Sequence, residues 1–153
     1  MVTEIHKAPE FTLNDHTNAP VSLSQFSGQN VVLFFYPKDN TPGCTLESQD
    51  FSALKEEFLV HNTVVYGVSK DSVQSHQNFC EKQNLTVPLL SDPEMTIIAS
   101  YGVWQEKKNY GKTYMGIVRT TILIDGDGML RKMWKNVTVK GHAQSVLQVV
   151  KDL

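Results

Sequence analysis

Two residues of this chain are suited to redox chemistry: Cys44 and Cys80, 36 positions apart. That separation is not a CxxC spacing, and two cysteines are too few for a disulfide framework. In a reducing compartment such thiols are either inert core residues or reactive ones. Cys44 sits within Pro37-Lys38-Asp39-Asn40-Thr41-Pro42-Gly43-Cys44-Thr45-Leu46-Glu47, between an apolar run and a helical pattern. A sulfur in the first turn of a helix meets free backbone N–H groups and the positive end of the dipole, both of which favour an anion. The carboxylate of Glu47, one turn on, opposes this unless a cation balances it. Prolines and a glycine stiffen the approach, and Thr41 sets a hydroxyl three residues before the sulfur. The alternative is that Cys44 is a small apolar residue on the core-facing stripe that it shares with Glu47, Phe51, Leu54 and Phe58. A stiff, polar, strand-to-helix elbow is a poor place for a merely structural thiol.

Arg119 is one of two arginines, with Arg131. It opens an otherwise apolar run, 119–124, where a guanidinium needs an anionic partner. A thiolate would serve, and so would a carboxylate such as Glu47.

These groups must be carried by elements that bring them together. Residues 31–36 form the longest apolar run and read as a central buried strand, with similar runs at 64–68 and 119–124. Residues 11–13 and 21–23 read as short strands around a polar turn, and 130–134 completes a hairpin after the Asp125-Gly126-Asp127-Gly128 turn. That turn lacks the later ligands of a calcium loop. Helical patterns span 44–59, 71–84 (with Asp71 as its cap), 93–101 and 141–153. Strands alternating with helices predict an α/β layered sheet, made mixed by the late hairpin. Lys107 and Lys108 read as exposed loop, and His76 as a solvated histidine. Trp104 and Trp134 read as packing residues, Trp104 at the border of the site.

Composition narrows the class. The chain has 153 residues, 41% of them hydrophobic and 20% charged, with a net charge of −2. This is the size of one ordinary domain, so 1–153 is expected to be a single unit. The balance of charge recruits neither nucleic acid nor an acidic membrane surface. No apolar run approaches a membrane span, and residues 1–9 carry charges without an apolar block, so a cytoplasmic location is expected. The five histidines lack metal spacing.

Pro37, Thr41 and Cys44 match the Pro-x-x-x-Thr-x-x-Cys motif of peroxiredoxins, and Thr41-Pro42-Gly43-Cys44-Thr45-x-Glu47 resembles the bacterioferritin-comigratory (PrxQ) branch. The likeness extends through Phe34-x-Tyr36-Pro37, Tyr101-Gly102-Val103-Trp104, Gly116-x-x-Arg119-Thr120-Thr121 and Trp134. The resemblance implies a thioredoxin-like α/β fold, a mixed central sheet flanked by helices with an N-terminal β-hairpin extension. It implies that Cys44 is the peroxidatic cysteine, that Thr41 and Arg119 hold the thiolate and the peroxide oxygens, and that Pro37 shields the pocket. Hydrogen peroxide and alkyl hydroperoxides would be the substrates, thioredoxin the electron donor and the monomer the working form. No metal, flavin or haem would be needed.

A magnitude shows what such a pocket must do. A free thiol of pKa about 8.5 is only a few per cent thiolate at neutral pH. Ionising it fully gains at most about thirtyfold, and nucleophilicity falls as ionisation becomes easier. Rapid reduction must therefore come from stabilising charge on the leaving oxygen.

Many members of the branch carry a second cysteine five residues after the first; Gln49 stands there in this chain. Cys80 then resembles the resolving cysteine of the subgroup that places it on the following helix. That helix is sparsely apolar, so its opening should be cheap. Two other readings stay open: a one-Cys peroxidase cleared by an external thiol, and a redox-sensing module without turnover.

Overall fold

The computed structural model describes residues 6–153; the first five residues of the 1–9 segment lie outside them. The apolar run becomes strand β4 (Asn30–Phe35), where side chains alternate between the two faces of the sheet. Val31, Leu33 and Phe35 enter one core, while Val32, Phe34 and Tyr36 enter another on the opposite face. A strand buried on both faces has no polar position to spare, which explains the unbroken hydrophobicity of the run.

Around β4 stand β1 (His6–Lys7), β2 (Thr12–Asp15), β3 (Pro20–Ser22), β5 (Thr63–Ser69), β6 (Leu89–Ser91), β9 (Thr120–Ile124) and β10 (Met129–Trp134). Among the described residues these eight strands form one sheet in the order β1-β10-β9-β4-β5-β6-β2-β3. Strands β4, β5 and β6 run parallel, and β9 runs antiparallel to both of its neighbours, β4 and β10, so the sheet is mixed as expected. The N-terminal hairpin is β2–β3, docked on the edge through β2 and β6.

Helices α1 (Pro42–Val60), α2 (Val73–Gln83) and α4 (His142–Lys151) bury Phe51, Phe58, Phe79, Val146, Leu147 and Val150 with the Val32–Phe34–Tyr36 face. Helix α3 (Thr96–Ser100) packs Ile97 and Ile98 on the other face. Gly67 of β5 is required by this packing. A β-carbon there would lie 2.7 Å from both Phe34 and Leu89 side-chain atoms.

Several boundaries differ from the sequence reading. Helix α2 is capped by Ser72, whose hydroxyl accepts from Ser75 N–H at 3.1 Å. Asp71 is drawn away, accepting from Asp39 N–H (2.9 Å) and the Ser69 hydroxyl (2.6 Å). Helix α3 starts later than expected because the buried Asp92 carboxylate accepts from Thr96, Ile97 and Ile98 N–H at its start. Lys107 and Lys108 are not loop residues: they lie in β7 (Trp104–Asn109), which pairs with β8 (Lys112–Ile117) as a separate antiparallel ribbon. Its two-residue turn is Tyr110-Gly111, both at positive φ. The 125–128 segment is the expected turn, with the Asp125 carboxylate accepting from Asp127 and Met129 N–H.

Candidate active site

The parallel strands end at one edge of the sheet, where open α/β sheets place their sites. Pro37 is half-buried as the chain leaves β4. Pro42 is the first helical residue of α1, where a missing N–H costs nothing, and Thr41 is the N-cap. Cys44 therefore falls in the first turn, as its spacing predicts. It is only 1% exposed and packs in the core that holds Phe34, Tyr36 and Phe51. Core burial and a place at the strand-to-helix elbow, posed as alternatives by the sequence, coexist in one residue.

Arg119 stands one residue before β9, and its guanidinium crosses to this turn. Nη2 donates to Cys44 Sγ at 3.4 Å, and Nη1 donates to Glu47 Oε1 at 2.6 Å. The sulfur and the carboxyl group that the sequence offered as partners for Arg119 are engaged together. Gly43 leaves room for this approach, since a β-carbon at that position would lie a tight 3.2 Å from Nη2.

Glu47 is 1% exposed, and its second oxygen, Oε2, has no hydrogen-bond partner. Burial pushes its carboxyl up to about 7 against the pull of Arg119. The hydroxyl of Thr41 donates to the Lys38 carbonyl at 2.8 Å. Beneath Arg119, His142 Nε2 lies 2.7 Å from the Thr121 hydroxyl, and burial, with the Arg119 charge second, pushes this histidine down to about 4. Trp134 meets His142 edge-on. Trp104 packs partly against the core on the other face, with the Lys70 ammonium 4.8 Å above its ring.

Cys80 lies on α2, 8% exposed, in the same core as Cys44. Both thiols are free. Burial pushes the Cys80 thiol up to about 12, with the Asp39 charge adding to the effect. His76 corrects the sequence reading, for it is fully buried and lies 2.7 Å from Asp39 Oδ2 through Nδ1. Sequence spacing could not show this, because its partners come from the loop after β4 and from β6.

Residues 5–133 match the AhpC/TSA family. Peroxiredoxin Bcp of Bacillus subtilis is 47% identical over 154 aligned positions, covering 100% of this chain and 98% of the relative. The chain belongs to the AhpC/TSA family, in its Bcp/PrxQ peroxiredoxin branch. The structure of the Xanthomonas campestris bacterioferritin comigratory protein, described in terms of alkyl peroxide reduction activity, superposes with a TM-score of 0.89 at 40% identity, over 93% of this chain and 90% of that one. Serine variants of Xanthomonas campestris peroxiredoxin Q superpose with the same TM-score of 0.89 at 41% identity and the same 93% and 90% coverage. They replace two cysteines 36 positions apart, the separation of Cys44 and Cys80. The likeness to these peroxiredoxins establishes the thioredoxin-like fold, and this peroxiredoxin is a thiol-dependent peroxidase. Among its described residues no helix is long and apolar enough to cross a membrane.

Proposed function

We propose that Cys44 is the peroxidatic cysteine of a two-cysteine cycle and that Cys80 resolves it. In the first step the Cys44 sulfur bonds to one peroxide oxygen as the O–O bond breaks. The sulfur is oxidised to a sulfenic acid, the peroxide is reduced, and the departing oxygen takes a proton to leave as water or an alcohol. Arg119 carries this reading: its Nη2 already donates to Sγ, where it can also meet the charge that moves onto the leaving oxygen. Thr41, at the N-cap, supplies a hydroxyl beside the same turn once it turns from the Lys38 carbonyl, and Pro37 walls the loop.

In the second step the Cys80 sulfur bonds to the sulfenic sulfur of Cys44. The S–O bond breaks, and the hydroxide leaves with the Cys80 proton as water. Two buried thiols on separate helices meet only if those helices open locally. Thioredoxin returns the disulfide to two thiols in the cytoplasm, and the enzyme works as a monomeric single domain on hydrogen peroxide and alkyl hydroperoxides.

Mass spectrometry after one equivalent of peroxide tests the cycle. The monomer should lose two protons, and the Cys80→Ser variant should instead hold one added oxygen. A lasting sulfenic acid in the unaltered protein would mean a one-Cys enzyme. Absence of NADPH consumption with peroxide, thioredoxin and thioredoxin reductase would favour a sensor.

A further inference from the structure

Asp39 lies in the loop that leads into α1, yet its side chain is only 1% exposed. Its carboxylate gathers three partners. The Tyr36 hydroxyl donates to Oδ1 at 2.6 Å, the Ser75 hydroxyl donates to Oδ2 at 2.8 Å, and His76 Nδ1 shares a proton with Oδ2 at 2.7 Å. Ser75 and His76 belong to the first turn of α2. The stitch is returned by the backbone, since Asp39 N–H donates to Asp71 Oδ2 just before that helix. A buried carboxylate satisfied by several donors is costly to disrupt, because each lost partner leaves charge unpaired in a poorly solvated place.

Asp39, Asp71 and His76 bring their ligand atoms within 4.8 Å of one another, a spacing that would suit a cation. The ring of His76 argues otherwise. Its Nε2 faces the Leu90 carbonyl at 2.9 Å and must donate there, while Nδ1 is engaged with Asp39. In this structure Nδ1 is turned to Asp39 Oδ2 at 2.7 Å, and Asp71 Oδ2 accepts from Asp39 N–H, so the three groups bond to one another. The cluster is a hydrogen-bonded clasp.

The clasped helix is the one that carries Cys80, one turn beyond His76. Elsewhere α2 is held by Phe79 against Tyr36 and by Gln83 bonded to Gln49. Much of its remaining surface is exposed and polar. While α2 stays packed, Cys80 is a buried, protonated thiol and a poor nucleophile.

We propose that Asp39 is a positioning residue for the second step: its carboxylate ties the first turn of α2 to the Cys44 loop, and release of that tie sets the rate at which Cys80 reaches oxidised Cys44. The inference rests on Cys80 being the resolving cysteine. The clasp joins the loop before one thiol to the helix of the other, so the two segments let go together.

Rapid-quench mass spectrometry separates the peroxide-dependent formation of sulfenic acid from the peroxide-independent formation of the disulfide. A hydrogen bond to a charged acceptor weights an equilibrium by roughly tenfold or more. Asp39→Asn should therefore speed the disulfide step about tenfold, and Ser75→Ala severalfold, with the sulfenic acid step of Ser75→Ala within about twofold of the unaltered protein. Hydrogen exchange should quicken at α2 amides of Ser75→Ala and stay unchanged in β4. A role confined to folding would lower global stability without moving the disulfide rate. If the disulfide forms at the same rate in both variants, the clasp does not govern this step. If Asp39→Asn does not fold, Ser75→Ala decides alone. Should the unaltered protein not lose two protons after peroxide, Cys80 is not resolving, and the inference falls with that reading through a measurement that involves no variant.

Discussion

Gly43 and Arg119 are fitted to each other: the space that a side chain would fill at residue 43 is taken by the guanidinium, 3.2 Å from where a β-carbon would stand. Gly43 has no positive φ to explain its presence. Its reason is the closeness with which Arg119 reaches the sulfur of Cys44.

The Gly43→Ala variant should separate activity from stability. Alanine favours a helix over glycine by up to about 1 kcal/mol, so the melting temperature should hold or rise. The end of the arginine must move aside by a few tenths of an ångström, and Cys44 oxidation should slow by roughly three- to tenfold. Stopped-flow oxidation beside a thermal melt reads both. A slower enzyme that also melts earlier would point to general damage instead.

Replacing Arg119 with Met removes the donor outright. Loss of one preorganised donor to a developing oxyanion costs about 10²-fold or more, and the same fall is expected in the rate of Cys44 oxidation. Arg119→Lys should recover little, because one ammonium cannot reproduce two separately aimed donors, Nη1 on Glu47 and Nη2 on Cys44. Oxidation of the Met variant at the rate of the unaltered protein would remove Arg119 from the chemistry.

Glu47 and His142 link stability to pH with opposite signs. The carboxyl of Glu47 rises from 4.5 to about 7 on folding, so the folded protein binds more protons between these values. Its contribution is present below pH 4.5 and is lost as pH rises through 7, amounting to about 3 kcal/mol at most. His142 falls from 6.5 to about 4, so its contribution is lost as pH falls through that window. In the unaltered protein the two slopes oppose each other. The stability of Glu47→Gln relative to the unaltered protein should climb from pH 5 to 7, and that of His142→Asn should decline. Urea titrations across this range test both, and parallel curves would show that neither group is displaced on folding.

Gly67→Ala should destabilise the fold by about 1–3 kcal/mol, because the new methyl meets Phe34 and Leu89 within a packed core. The urea midpoint should fall with the slope unchanged. An unaltered midpoint would mean that these side chains give way without cost.

The site was legible where the chain itself brings chemistry together. The Pro37–Glu47 loop announces its elbow through its own residue types, and Arg119 announces a need for an anion by opening an apolar run. What remained hidden depends on residues distant in sequence. His76 reads as solvated among its polar neighbours, and its burial is set by Asp39 and the Leu90 carbonyl. Asp39 sits within the motif and still escapes notice, because nothing local tells which donors it will meet. The ribbon β7–β8 is exposed over much of both faces, so it lacks the apolar alternation by which strands are found. Glu47 calls for a cation by its place one turn after Cys44, and the fold answers with the Arg119 guanidinium.

That ribbon has one more consequence. Its base is fastened by Val118 N–H to the Val103 carbonyl and by the Lys107 ammonium to the Ile117 carbonyl, while Tyr110 at its tip is 97% exposed. Arg119 follows directly behind the fastened end. The tip stands at the far end of the hairpin from these bonds, so a longer turn or an epitope grafted at Tyr110-Gly111 should leave the rate of Cys44 oxidation unchanged.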